Sequence, residues 1–297
     1  MKILSFGSLN LDHTYQVPHF IRPGETLAAS ALKTCCGGKG LNQSIALARA
    51  GAHVYHAGAV GQGDGDILIK TLETSGVDCR FIYRLSCPTG HAIIQVNSDG
   101  QNCILLFGGA NRQITKAQID KTLSNFSAGD FLVLQNEISE LDYLMDSAAK
   151  KQMTIVLNPS PMTPGLAKMP LSCVQYLILN EIEAKDLCGE TAAEENYPEL
   201  LLQRYPESRI VLTLGSRGCI YQDKCQRLAM PACNVKAVDT TAAGDTFTGF
   251  FIAGIAAGER VEQALTEATK AAAISVSRAG ASPSIPDKDE VLTAQFS

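Results

Sequence analysis

Tryptophan is missing from this chain, and aromatic residues make up only 6% of it. Positive charge is in deficit, with 25 Lys and Arg against 30 Asp and Glu and a net charge of −5 at pH 7. That balance leaves no overall positive field to hold nucleic acid or an anionic membrane. Long hydrophobic runs are also lacking. The most apolar stretch, residues 247–257, is interrupted by Thr and Gly and falls short of the roughly 18–20 residues a membrane span needs. Residues 1–7 enter a strand-like pattern directly, without the apolar core and small-residue cleavage site of a signal peptide. A cytoplasmic location is expected.

The ten cysteines (Cys35, Cys36, Cys79, Cys87, Cys103, Cys173, Cys188, Cys219, Cys225 and Cys233) contain no CxxC pair. In a reducing compartment they read as free thiols, mostly small buried hydrophobes. Of the five histidines, His53 and His56 lie close in sequence, but no Cys or His follows at zinc-ligand spacing. What the sequence does have is length and apolar mass. A chain of 297 residues with 45% hydrophobic content can bury a sizeable core, as one large α/β domain or two of average size.

Strand-like and helix-like segments alternate. Residues 2–6 read as a strand, 41–50 as a helix ended by Gly51, 53–59 as a strand and 66–75 as a helix closed by Gly76. Residues 131–135, 154–157, 176–179 and 209–214 are apolar without clean alternation, the pattern of parallel strands buried on both faces. Helical stretches lie between and after them, at 116–125 behind the cap Thr115, and at 139–151, 182–187, 195–205, 244–257 and 261–277. The expected fold is α/β, a doubly wound and mostly parallel sheet covered by helices. One stretch breaks the rhythm. Residues 90–96 and 102–107 read as two strands joined through Asp99-Gly100, a hairpin signal. With residues 11–33 they form a small β excursion, either a flap over a site or a plain hairpin.

Two glycine clusters precede helices. Gly37-Gly38-Lys39-Gly40 stands just before Asn42, where glycines allow close backbone approach and a helix N-terminus offers free N–H groups. It lacks both P-loop and dinucleotide spacing, and reads equally as a tight turn or a binding site. The second cluster is Asp239-Thr240-Thr241-Ala242-Ala243-Gly244-Asp245. Its amides from Ala242 to Asp245 would converge into an anion nest. Asp245 either caps the helix or takes a proton from a hydroxyl attacking phosphorus. Asn180 and Glu183 suit either Mg²⁺ or a capping box. Thr213 to Gly218 is either a nucleotide-lining turn or a hairpin connection. Asn10, Asp12 and Glu137 fall at strand ends, which in an open α/β sheet face the ligand crevice.

The stretches Gly7-Ser8-Leu9-Asn10-Leu11-Asp12, Pro23-Gly24-Glu25-Thr26, Gly37 to Gln43, Leu157-Asn158-Pro159, Asn180 to Ala184, Thr213 to Gly218, Asp239 to Phe247 and Arg278 to Pro286 together resemble the ribokinase-like family of sugar and nucleoside kinases. They run in family order from near one end of the chain to near the other. The resemblance implies sugar binding by Asn10, Asp12, Gly38, Lys39, Asn42 and Glu137. It makes Asp245 the base, with Ala242, Ala243 and Gly244 forming the anion hole. It assigns Asn180, Thr213, Gly215, Ser216, Gly218, Gly244 and Thr269 to the nucleotide, and Glu183 to Mg²⁺ through water. It places K⁺ at Asp239, Thr241, Ser275, Arg278, Gly280 and Ser284. At Thr269 the family often carries His or Asn, and the lid position of His91 is usually apolar. Residues 13–33 and 88–109 become a lid that also forms a homodimer contact, and residues 1–12, 34–87 and 110–297 the kinase domain. The implied activity is ATP-dependent phosphorylation of ribose. Alternatives are a kinase of the same fold for another pentose, a ketohexose or a nucleoside, and a catalytically silent sugar-binding protein.

Overall fold

The computed structural model describes residues 1–189 and 192–296. In chain order the elements are β1 (Ile3–Phe6), β2 (Asn10–Gln16), β3 (Ala31–Gly37), α1 (Lys39–Arg49), β4 (Val54–Gly61), α2 (Asp66–Thr74), β5 (Asp78–Leu85), β6 (Gly90–Val96), β7 (Asn102–Phe107), α3 (Lys116–Leu123), β8 (Phe131–Gln135), α4 (Leu141–Lys150), β9 (Thr154–Asn158), β10 (Tyr176–Asn180), α5 (Glu181–Cys188), α6 (Tyr197–Arg204), β11 (Arg209–Thr213), β12 (Cys219–Gln222), β13 (Arg227–Met230), α7 (Ala243–Ala256), α8 (Val261–Val276) and α9 (Lys288–Thr293).

Nine strands form one sheet in the order β13-β12-β11-β10-β9-β8-β1-β4-β5. Strands β5 to β11 pair in parallel, and β12 and β13 extend the β11 edge antiparallel. Successive residues of the central strands feed opposite cores. Val133, Val156, Ile178 and Val211 join α1, α2, α7 and α8 on one face, whereas Leu132, Ile155, Leu177 and Ile210 join α3 to α6 on the other. Burial on both faces explains the runs without alternation. Each run also ends in a polar residue at the same edge. Gln135 pairs with Asn158, and Asn180 with Thr213.

A second sheet, ordered β3-β2-β6-β7, stands off this edge. Here β2 pairs with β6 in parallel, and the other two pairings are antiparallel. It is the small lid sheet expected from the broken rhythm. Strand β2 starts at Asn10 and β3 ends at Gly37, so both run from the lid into the main body. The turn between β6 and β7 closes through Asn97, whose main-chain N–H donates to the Gln101 carbonyl, and Gly100 takes a positive φ there. Leu32, Ile104, Leu105 and Phe107 are exposed on this sheet. Strands β5, β12 and β13 were not anticipated from sequence. Among the described residues, no helix is long and apolar enough to cross a membrane.

Candidate active site

Asp245 is the third residue of α7, yet it does not cap the helix. The N-cap is Ala242, with no side-chain capping bond. The carboxylate turns instead toward α1, where Asn42 Nδ2 donates to Oδ2 and Gln43 Nε2 donates to Oδ1, each at 3.0 Å. At 5% exposure the Asp245 carboxyl is pushed up from its ordinary range by burial, against the opposing pull of Lys39 and the two amides. For Lys39 burial works to lower the pKa, but the carboxylates of Asp245, Glu137 and Glu183 outweigh it and keep the ammonium charged.

The anion nest is narrower than the sequence suggests. The Ala243 N–H is bonded to the Thr240 carbonyl at 3.2 Å, and that of Thr246 to Ala242 at 2.8 Å. Gly244 and Asp245, at the second and third helical positions, have no intrahelical acceptor for their N–H groups. Ala243, Gly244 and Asp245 line a cavity of about 460 Å³ with Thr240 and Thr241, while Ala242 is buried.

The same cavity collects Asn180, Thr213, Gly215, Ser216, Gly218 and Thr269, together with Lys39 and Glu183. Asn180 and Glu183 do form a capping box. The Asn180 side chain accepts from the Glu183 N–H at 2.9 Å, and Glu183 Oε2 accepts from the Asn180 N–H at 3.0 Å. The capping-box reading holds, and both residues also line the cavity. Glu183 is 5% exposed and lines the cavity, and a carboxylate is the kind of oxygen ligand that Mg²⁺ takes directly or through water. Among the described residues, no three His, Cys, Asp or Glu side chains cluster as a metal site. Residues 213–218 likewise serve twice, as the β11–β12 connection and as cavity wall. Gly218, at φ 95°, lies against the backbone of Met230 and Ala232 with no room for a Cβ.

A smaller cavity of about 160 Å³ opens under the lid between Asn10, Leu106, Gly108, Asn111, Arg112 and Glu137. Glu137 Oε2 accepts from the Ser8 hydroxyl and, at 3.2 Å, from the Lys39 main-chain N–H. Lys39 thus lines the larger cavity and is bonded through its main-chain N–H to Glu137, which lines the smaller one. Asn111 Nδ2 donates to Asn10 Oδ1 at 2.8 Å and so fixes the Asn10 amide. Gly38 is the N-cap of α1 at φ 94°, packed against the main chain of Ser8 and Asn10. Asp12 lies on the neighbouring lid strand against Gly37. Burial first, and then the charge of Glu137, push its carboxyl up to about 6.

Of the residues expected around K⁺, Asp239 is hydrogen-bonded to Thr241 and Gly280, and Ser275 to Ser284 and Arg278. Asp239 Oδ1 accepts from the Thr241 N–H at 3.0 Å and its hydroxyl at 2.5 Å, and Oδ2 accepts from the Gly280 N–H at 2.9 Å. Burial opposes ionisation of Asp239, but the Thr241 hydroxyl and the Gly280 and Thr241 N–H groups hold its carboxyl below the usual range. Ser275 and Ser284 share a hydroxyl–hydroxyl bond of 2.8 Å. The Ser275 carbonyl accepts from the Arg278 N–H at 3.1 Å, which leaves one lone pair free.

Four residues at the site carried no functional assignment from sequence: Ser8, Gln43, Asn111 and Gln135. The signal for Gln135 was available, because it is the polar last residue of an apolar run, like Asn158 and Asn180.

Comparison with known proteins gives a consistent result. The model of the pfkB family carbohydrate kinases matches residues 1–288. A ribokinase of Haemophilus influenzae is 34% identical over 293 residues, covering 96% of this chain and 95% of its own. A deoxyribokinase of Salmonella typhi is 31% identical over 301 residues, covering 98% and 97%. Among solved structures, the ribokinase of Cryptococcus neoformans in complex with ADP superposes with a TM-score of 0.87 at 32% identity, over 98% of both chains.

Proposed function

The chain belongs to the pfkB family of carbohydrate kinases and is an ATP-dependent sugar kinase of the ribokinase family, and we propose that its acceptor is D-ribose, converted with ATP to D-ribose 5-phosphate and ADP. The observation that carries this reading is the position of Asp245. It is a buried carboxylate on the wall of the larger cavity, joined through Lys39 and Glu137 to the smaller one under the lid. A base at that junction can meet a sugar hydroxyl from one side and a phosphoryl group from the other.

In this proposal ribose lies under the lid, its ring hydroxyls bonded to Asn10, Asp12, Glu137, Asn42 and the main chain at Gly38. Its primary hydroxyl faces Asp245, which takes the proton as the oxygen attacks the γ-phosphorus and ADP leaves. The Gly244 and Asp245 amides and the Lys39 ammonium offset the negative charge on the moving phosphoryl group. The remaining walls, from Asn180 and Thr213 through Ser216 and Gly218 to Thr269, hold the nucleotide. Glu183 would hold Mg²⁺ through water, and the ion would supply charge neutralisation to the phosphates of ATP. A K⁺ ion at Asp239 and the carbonyls of Thr241, Ser275, Arg278 and Gly280 would brace the nest from behind, with Ser284 beside it. Catalysis rests on positioning and charge, because phosphoryl transfer asks little covalent work of the protein. The exposed apolar lid residues are where a homodimer would form.

ATP consumption with D-ribose, 2-deoxyribose, other pentoses, fructose and adenosine tests the reading. Ribose is expected to give the highest kcat/KM. A clear preference for 2-deoxyribose would favour the second reading, which the similarity to a deoxyribokinase supports. Silence with every acceptor would overturn both.

A further inference from the structure

Gln43 and Gln135 are fully buried and neither faces a cavity wall, yet they end on the candidate base. Gln135, the last residue of β8, donates Nε2–H to Gln43 Oε1 at 2.6 Å. Gln43 in turn donates Nε2–H to Asp245 Oδ1 at 3.0 Å, and to Asn158 Oδ1 at 3.3 Å. Asn158 is anchored through its own amide to the Ile178 carbonyl at 3.0 Å. With its oxygen occupied by Gln135, Gln43 can present only N–H to Asp245. The flipped amide would set oxygen against carboxylate and lose three bonds together. The relay is satisfied on its donor side, while Gln135 Oε1 at its start is buried without a hydrogen-bond partner, a costly arrangement for an amide oxygen.

We propose that Gln43, held in one amide orientation by Gln135, is a positioning residue that fixes the Asp245 carboxylate and keeps it ready to accept a proton. This rests on the reading of Asp245 as the base. The need is physical. Burial drives Asp245 toward its neutral form, and a protonated carboxyl cannot take the hydroxyl proton. The groups that oppose burial are few. Lys39 at the start of α1 is the charged one, and its own charge is shared with Glu137 beyond β8 and Glu183 in α5. Asn42 supplies the second amide donor, but it adjoins the sugar side. Gln43 is buried and lines neither of the two cavities, although its other acceptor, Asn158, lines the larger one.

The test compares kcat and both KM values across pH 5–9 for wild type, Gln43→Met, Gln135→Met and the double variant, with Asp245→Asn alongside. Gln43→Met is expected to lower kcat about 10- to 100-fold near neutral pH and to leave the sugar KM within about threefold. The acid limb of the pH profile should move up by about one to two units, the effect of losing one donor to a buried carboxylate. Gln135→Met should move the limb in the same direction by less, and the double variant should be no worse than Gln43→Met, because Gln135 acts through Gln43. An equal fall at every pH, an unmoved limb or additive losses would overturn the inference. If Gln43→Met does not fold, Gln135→Met decides alone, and an unmoved limb there also overturns it. Near-normal turnover by Asp245→Asn would instead remove the base reading itself.

Discussion

Gly249 of α7 meets Ala46 of α1 so closely that a Cβ on the glycine would collide with the alanine methyl and with the Leu47 main chain. These are the helices that carry Asp245 and its two amide donors. Gly249→Ala therefore forces apart the frame of the site as well as overfilling a core. A loss of about 1–3 kcal/mol in unfolding free energy is expected, together with a lower kcat in the variant that remains folded. Denaturant unfolding and steady-state kinetics measure the two effects.

Asp245→Asn keeps the shape of the side chain and the bond to at least one amide partner, but it removes the proton acceptor. Turnover should fall by roughly 10²- to 10⁴-fold with stability little changed or improved, since a buried carboxyl shifted upward by burial is replaced by a neutral group. Near-normal turnover in a folded variant contradicts the assignment.

If Asp12 binds the sugar as proposed, acceptor binding should depend on pH through it. Its carboxyl titrates at about 6 in the folded protein against an ordinary value of 3.8. The raised value means that its contribution to stability is fully present below about pH 4 and is lost as pH rises through about 6. Binding runs the other way, because the ionised form is the better acceptor for a sugar hydroxyl. The sugar KM should rise as pH falls below about 6, and Asp12→Asn should flatten that rise while stabilising the ligand-free protein at neutral pH. Isothermal titration with ribose and thermal melts across pH 4–8 would read both.

The loop around Asp239 predicts an ionic preference. Activity in K⁺ should exceed that in Na⁺ or Tris alone. Asp239→Ala should remove the difference, because it deletes the anionic oxygen and releases the N–H groups of Thr241 and Gly280. Equal rates in all three buffers for the wild type would contradict a cation role.

Much of this was legible in the sequence, for reasons that individual residues show. The strands at 90–96 and 102–107 were readable to the residue because a turn signal separates two β-rich runs with no helix between them. Thr115 announced α3 as its cap, and the structure adds the reciprocal bond from Gln118 that makes a capping box. Strand β5 was hidden because Asp78, Arg80 and Arg84 break its apolar pattern at the edge of the sheet. Strands β12 and β13 are four residues each, too short to show a period. At the site, the carboxylates and glycines were visible because they are chemically conspicuous. The amides Gln43 and Asn111 were not, because nothing in their local pattern marks the partners that the fold brings within reach.

The bonds that hold Asp245 join it to residues 203 and 202 positions earlier in the chain. At ordinary rates of synthesis, about 5–20 residues per second, Asn42 leaves the ribosome roughly 10–40 s before Asp245 does. Throughout that interval the first half of the protein can assemble strands and bury a core, but it has no carboxylate to serve its amides. With Asp245 as the proposed base, phosphoryl transfer would switch on only when the last third of the chain has docked, and a truncated or stalled product would have no Asp245 with which to spend ATP.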